Sequence, residues 1–407
     1  MYICDGAFLK NKHFLMHSEQ QFDIIIAGAG ASGLTMLWYI LQSEKLKKKS
    51  VLLIDKNLEP TDSKTWCFWS DGNHPTNHLI HHTWNELEVI TKNETINGAL
   101  TQKKYHCIRS LDYSSEILEL ARIHPHVELL ETEIQSFTNS GEKGVVQTAE
   151  GSFSAFWVFQ SALLPPDFHN SICDLSLLQH FTGWEIETSL NMFNPDKALL
   201  MDFNVAQRDG ATFFYLLPYS EKSALVEYTL FSSDTLSEEE YESELRNYLS
   251  DKYHLDNTDY TITRSETGVV PMEDRKYEQW YCKRVLNIGT AGGFTKATTG
   301  YTFSRIHDRC RHIVKSLENN TPLPDYPISS YRFRVYDIMM LYLLQHESEQ
   351  AVEIFGQLFK KNSFDLVLRF LNEETSISEE LSIFRKLSYM PFFRSIYKMK
   401  HRIFFGA

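Results

Sequence analysis

Three glycines at positions 28, 30 and 33, set between a β-branched run and an uncharged apolar stretch, limit what this chain can fold into more than any other feature. Ile24, Ile25 and Ile26 suit a buried parallel strand. In the GxGxxG that follows, Gly28 permits a tight turn, Gly30 lets backbone approach a pyrophosphate, and Gly33 lets the next helix pack on the strand. That helix, with Ser32 in its first turn, offers free N–H groups and a positive dipole end to phosphate. A second apolar run, "SVLLID", ends in Asp55, about twenty residues on, where an acid binds a ribose hydroxyl. Strand before, helix after and acid in place turn a weak motif into a dinucleotide site rather than a glycine-rich turn of an ordinary sheet. The motif does not separate NAD from FAD. Residues 24–41 carry no charge and approach membrane-spanning length, but their glycines make strand, turn and helix the better reading.

A second glycine-rich pattern, "RVLNIGTAGGFTKATTGYTFSRI", lies at residues 284–306. An apolar strand runs into Gly289, Ala291, Gly292 and Gly293, and a helix follows Gly300. One extended FAD needs two such contacts far apart in the chain, whereas an NAD domain uses consecutive βαβ units. The alternative is another turn of the same sheet. The net charge of −13 disfavours nucleic acid, which needs a positive surface. The 6 cysteines include no CxxC pair, which argues against a disulfide framework or zinc site and suits a reducing cytoplasm. The 27 Phe and 20 Tyr suit either a large apolar ligand or plain core filling.

The chain resembles the lycopene β-cyclase family, particularly its bacterial members, flavoproteins of the p-hydroxybenzoate-hydroxylase and geranylgeranyl-reductase-like type. The likeness rests on "GAGASGL", "KTWCFW" (64–69), "QHFTGWEIET" (179–188), "LMDF" (200–203) and "YLLPYSEKSALVEYTLFS" (215–232). "ETGVVPM" (266–272), "GTAGGFTKATTGYTF" (289–303), "YRFRVYDIMMLYLL" (331–344) and "LRFLNEETS" (368–376) extend it to the C-terminal region. It implies an α/β fold: a Rossmann-type FAD-binding domain with an inserted antiparallel β-sheet substrate domain and a C-terminal helical region. The FAD domain would take residues 20–70, 100–170 and 278–325, and the substrate domain 71–99 and 171–277. Runs such as "TFFYLLPYS" read as strands, and Ser237 reads as the N-cap of an acidic helix. Residues 326–407 would be helical and membrane-facing. Residues 1–19 match nothing in the family and read as an unstructured leader, not a signal peptide, with Met16 as an alternative start.

The family reaction adds a proton to a terminal double bond of lycopene, closes a ring through a carbocation and releases a neighbouring proton. It passes through γ-carotene to β-carotene without moving net electrons. Such a site needs a carboxylic acid kept protonated by burial, which can raise its pKa by about 3 to 5 units. It also needs aromatic faces, each worth about 2 kcal/mol to a desolvated cation. Glu227 in "ALVEYTLF" matches the family's acidic strand motif, which implies a proton donor or cation-stabilising carboxylate. From alternation alone it reads as an outward or hydrogen-bonded structural residue. Asp202 is a second candidate carboxylate or a loop cap. Trp66, Trp69, Trp184, Phe203 and Tyr228 are taken as a group to line the polyene tunnel, each also a natural core residue.

By resemblance, Lys296, Thr298, Thr299 and Gly300 approach the isoalloxazine, favouring a reduced, anionic FAD that stabilises the cation electrostatically, with NADPH as reductant. The histidine-rich "HPTNHLIHH" (74–82) lacks accompanying acids and helical spacing, and reads as a loop of solvated histidines with no metal. From Leu381 onward there is no Asp or Glu. Arg394, Lys398 and Arg402 would share one helical face, with Phe392, Ile396, Met399 and Ile403 opposite and Phe393 and Phe404 at the edge. This reads as an interfacial helix against anionic lipid, placing the protein in the cytoplasm, peripheral on the inner face of the cell membrane. A helix packed on the body with snorkelling cations is the alternative. Two other functions fit the same pattern: an FAD/NADPH oxidoreductase such as a prenyl reductase or hydroxylase, and a non-catalytic isoprenoid-binding protein.

Overall fold

The Ile24–Ile26 run sits at the centre of an eight-stranded sheet in the computed structural model, which describes residues 20–162, 173–208, 210–323 and 329–405. The leader expected at 1–19 lies outside those residues. In this sheet Val285–Asn287, Gly151–Gln160, Gln20–Ala27, Val51–Asp55 and Val127–Glu131 run parallel in that order. Both faces are covered, which is why the run shows no polar alternation. Ile24 and Ile26 pack against Leu34 and Leu37 of the Ala31–Gln42 helix and Ile306 of the Phe303–Glu318 helix. Ile25 and Ala27 face the other way, toward Phe153 of Gly151–Gln160 and Phe137 and Val146 of an antiparallel hairpin.

A seven-stranded sheet follows the order Tyr260–Glu273, Ser176–Thr188, Ser223–Ser232, Ala211–Pro218, Lys197–Asp202, Glu86–Ile90 and Thr95–Ala99. Its pairings are antiparallel apart from Lys197–Asp202 with Glu86–Ile90. Successive residues point to opposite faces. On one face, Val226, Tyr228 and Leu230 pack against the Glu238–Tyr253 helix, which starts on a capping box of Ser237 and Glu240. On the other, Phe213, Leu225 and Phe231 join a core shared with the C-terminal helices. Thr65–Ser70, His82–Trp84 and Lys104–Arg109 form a small sheet of their own, so the segment expected at 71–99 divides between two sheets.

The C-terminal region is helical from Tyr331–His346 to Lys400–Phe404. Its end departs from the single amphipathic helix expected. Two short helices, Met390–Lys398 and Lys400–Phe404, meet at Met399. Arg402 is buried at 2% exposure and pairs with Asp274 at 2.6 Å, while Arg394 pairs with Glu347 at 2.9 Å. Two of the three cations of the expected face are therefore paired with the body, Arg402 buried on Asp274 and Arg394 at the surface on Glu347, while Lys398 stays exposed. Phe392, Ile396, Met399 and Ile403 pack inward. The outward face is instead Tyr389, Met390, Phe393, Tyr397, Phe404 and Phe405, with Phe393 61% and Tyr397 68% exposed. Among the described residues no helix is long and apolar enough to cross a membrane.

The histidine loop is also only partly solvated. His78 and His81 are exposed, but His74 lies between the Phe68 ring at 4.5 Å and the His307 ring at 4.6 Å. Burial, the largest cause, pushes His74 and His106 down to about 4 and His307 further. Their folded pKa values lie below the unfolded 6.5, so the stability they contribute is full above 6.5 and lost as pH falls toward 4. The urea midpoint should therefore drop across that window, and His74→Phe, which fits the surrounding rings without titrating, should flatten the drop.

Candidate active site

Each turn glycine has a distinct physical role. Gly28 has φ +108°, and a Cβ there would collide with the Ser161 hydroxyl; one at Gly33 would overlap the carbonyl oxygen of Gly28. A Cβ at Gly30 would meet nothing within 4 Å, so the space over the helix N-terminus is open. Gly30 is the N-cap of Ala31–Gln42, no side chain caps that helix, and its first turn holds no acid. Its N–H groups thus face an open cradle fit for an anion. Asp55 accepts hydrogen bonds from the Ala29 N–H at 2.5 Å and the Asn57 N–H at 3.0 Å, fixing the loop from below.

The second glycine turn closes on the first. Gly289 has φ +65°, and a Cβ there would lie 2.5 Å from the Ser32 hydroxyl. A cavity of about 450 Å³ starts at this contact, where Gly30, Ala31, Ser32, Gly289 and Thr290 line it, and runs past Thr298, Thr299 and Gly300. Two turns that converge on one open cleft fit an extended dinucleotide such as FAD. Gly28, Gly33, Ala291 and Gly292 shape the turns without lining the cavity.

Lys296 corrects an expectation. It is 4% exposed, bonded to Asp337 at 2.7 Å and Glu373 at 2.9 Å, and absent from the cavity lining. Thr298 donates to Asp337 at 2.9 Å. The two carboxylates hold the ammonium behind the turn, so it cannot act as the cation facing an isoalloxazine. Asp337 and Glu373 were missed by sequence reasoning. Asp337 carried a signal, a carboxylate inside the largely apolar Tyr331–His346 helix, whereas Glu373 lies in a polar turn and carried none.

Beyond the second turn the cavity becomes apolar. Trp66, Phe181, Phe213, Phe231, Tyr215 and Tyr301 surround it, and Leu200, Met201, Phe355, Leu358 and Phe359 close its far part. Glu227 and Lys64 are the charged residues in its described lining. Glu227, 7% exposed, accepts a hydrogen bond from Thr229 at 2.8 Å. Burial first, and the nearby negative charge of Glu266 second, push its carboxyl up to about 8, so it stays protonated at neutral pH. Lys64 turns its ammonium to the Thr267 carbonyl. Burial lowers its pKa. The phenols of Tyr105 and Tyr215 lie 2.6 Å apart in the same wall.

The alternation of the large sheet separates the other candidates. Because Glu227 faces the cavity, its neighbour Tyr228 faces the Glu238–Tyr253 helix. Trp184 sits on that far face too, with the Arg246 guanidinium 4.9 Å from its ring. Asp202 points to the same side, bonded to Tyr248 and Lys252, each at 2.9 Å, so it does not share a site with Glu227. Trp69 stands one layer behind Tyr301, 4.7 Å away, and Phe203 packs between Phe213 and Phe355. Of the five aromatic residues named from sequence, Trp66 lines the cavity, stacked on Phe303 at 5.6 Å.

A family model described as lycopene cyclase protein matches residues 23–397. A lycopene beta-cyclase from Pantoea ananas is 24% identical over 298 residues, 70% of this chain and 72% of that protein. Among solved structures, a geranylgeranyl bacteriochlorophyll reductase-like protein from Thermoplasma acidophilum superposes with TM-score 0.59 at 13% identity, covering 94% of this chain and 99% of that one. A flavoprotein/dehydrogenase from Cytophaga hutchinsonii gives 0.61 at 9% identity, covering 94% and 100%. The fold is that of the FAD-binding flavoproteins, with a helical C-terminal region.

Gly33→Ala should distort the first turn through the clash with the Gly28 carbonyl oxygen. The expected outcome is protein purified without flavin absorbance, while Gly72→Ala, which strains a glycine at φ +91° outside the cavity lining, keeps the wild-type spectrum.

Proposed function

This chain belongs to the lycopene cyclase family, and we propose that it closes the acyclic ends of lycopene into β-rings by acid catalysis, through γ-carotene, without net redox. One observation carries the reading: Glu227 is a buried carboxyl in an apolar, aromatic-walled cavity continuous with a dinucleotide cradle, where burial raises its pKa. Its carboxyl hydrogen goes to the terminal double bond of the polyene. The next double bond attacks the resulting cation and closes the ring. Phe181, Phe213, Phe231 and Tyr215 face this charge with their π systems, while the apolar walls keep water from capturing it. The Glu227 carboxylate left by the first transfer takes up the departing ring proton. Asp202, on the far face of the sheet, has no part in it.

FAD is assigned to the cradle of Gly30, Ser32, Gly289, Thr298, Thr299 and Gly300. When bound and reduced by NADPH, it supplies a fixed negative charge for the cation. Glu227→Gln should lower ring formation from lycopene by about 10² to 10⁴-fold, the range for a lost general acid, with flavin retained. Wild-type activity should hold at neutral pH and fall as pH rises through the elevated Glu227 pKa. NADPH consumed in step with product would sink this reading and favour a reductase or hydroxylase.

The substrate dissolves in bilayers, and the exposed Tyr389, Met390, Phe393, Tyr397, Phe404 and Phe405 give the protein an apolar face to present to one. Exposed Arg385, Lys398 and Lys400, within the same C-terminal stretch of sequence, suit an anionic leaflet, the inner face of the cell membrane. The double substitution Phe393→Ser, Tyr397→Ser should weaken binding to anionic liposomes by about tenfold or more, as expected for removing two buried aromatic rings from the interface. Equal partitioning of variant and wild type in a flotation assay would refute membrane docking by this face.

A further inference from the structure

Glu227 has a neighbour in the sheet that strand register makes unavoidable. Gly183, in Ser176–Thr188, pairs with Glu227 on one side and with Glu266 of Tyr260–Glu273 on the other. The three residues form one row across the sheet, and residues opposite each other in a row share a face. Two carboxylates thus flank a residue with no side chain. A Cβ at Gly183 would lie 3.2 Å from the Glu227 Cβ and 3.4 Å from its Cγ, filling the space into which Glu227 leans.

Glu266 is held rigidly where it is. It is 4% exposed, and one carboxylate oxygen accepts from Arg264 at 2.6 Å and from the Thr65 hydroxyl at 2.7 Å. Arg264 in turn bonds to Glu185 at 3.1 Å, and Glu185 is also held by Arg109 at 2.5 Å. Arg264 and Thr65 thus fix one oxygen of the Glu266 carboxylate in a charge-assisted contact. Its guanidinium partner is engaged by Glu266 and Glu185 rather than by Glu227.

We infer that Glu266 is a positioning residue for Glu227: an ionised partner, laid beside it across the side-chain-free Gly183, that holds Glu227 in its acid form. The inference rests on the reading of Glu227 as proton donor. Glu266 lies two strands from Glu227 in the same row, and a carboxylate paired with arginine bears its charge at less cost than one without such a partner in the apolar cavity. The other groups around Glu227 pull in known directions. Lys64 and Arg264 favour its ionisation, as does the Thr229 hydrogen bond, while Cys67 and Tyr301 are half-buried neutral groups whose own pKa values are raised. Burial and Glu266 outweigh them.

The test follows the carbonyl stretch of a protonated carboxyl by infrared spectroscopy of the holoenzyme against pH, alongside the pH profile of ring formation. Loss of the band in Glu227→Gln assigns it. In Glu266→Gln the band's midpoint and the alkaline limb of activity should both move down by about one pH unit, the size expected for removing an adjacent like charge. Glu266→Asp, which keeps the charge but withdraws it, should move them less. A midpoint unchanged in both Glu266 variants overturns the inference while leaving Glu227 as the acid. Full ring formation by Glu227→Gln would instead remove the reading beneath it. Simple structural damage would lower the rate without moving the midpoint, and that too counts against the inference.

Discussion

The energetic cost of placing a charge in an apolar cavity governs the site. An ionised carboxylate at Glu227 would lose most of its hydration, and the cation nearest in the lining, Lys64, turns to a backbone carbonyl instead. The proton therefore stays, and the same dry walls that keep it there would protect a carbocation from water. Retention of the carboxyl proton and shielding of the cavity from water come from one feature, the exclusion of solvent. Aromatic content serves both: Phe213 and Phe231 belong to the core and also line the cavity, beside the half-buried Phe181.

Two architectures meet to make that cavity. The parallel sheet supplies glycine turns whose backbone stands open at Gly30 and closes against Ser32 at Gly289. The seven-stranded sheet supplies the acid and the aromatic walls, and the helices after Tyr331 seal the far end with Phe355, Leu358 and Phe359. The helical region also braces the second turn from behind, since Asp337 and Glu373 neutralise Lys296. A long buried ion triad is a costly way to hold a loop, and removing one member would strand the others. Its presence ties the geometry of the nucleotide turn to the packing of the C-terminal helices.

The structure also shows where pattern reading succeeds. The first strand, turn and helix were legible because a GxGxxG between an apolar strand and an apolar helix admits few other foldings. Glu227 was found through a family likeness, and its burial follows from a strand whose two faces are both covered. Tyr228 and Trp184 were misplaced for a reason already contained in the alternation. A residue adjacent to Glu227 in a strand cannot share its face, and Trp184 follows Gly183, which does. Asp202 failed for want of its partners: Tyr248 and Lys252 stand 46 and 50 residues away and come together with it only across the sheet–helix interface.

By itself the sequence determined the local elements: the glycine turns, the alternating strands, the capped acidic helix and the helical C-terminal part. These depend on backbone freedom, side-chain period and capping, which act over a few residues. Tertiary structure decided which charges are available. Arg402 and Lys296 read as free cations in the chain and are neutralised in the fold, because their carboxylates arrive from distant segments. Glu266 stood in the sequence only as part of the "ETGVVPM" likeness, and the fold sets it in one row with Glu227, because a strand with a glycine at the crossing point lies between them. Long-range electrostatics depends on distances that only packing sets, so it could not be read along the chain.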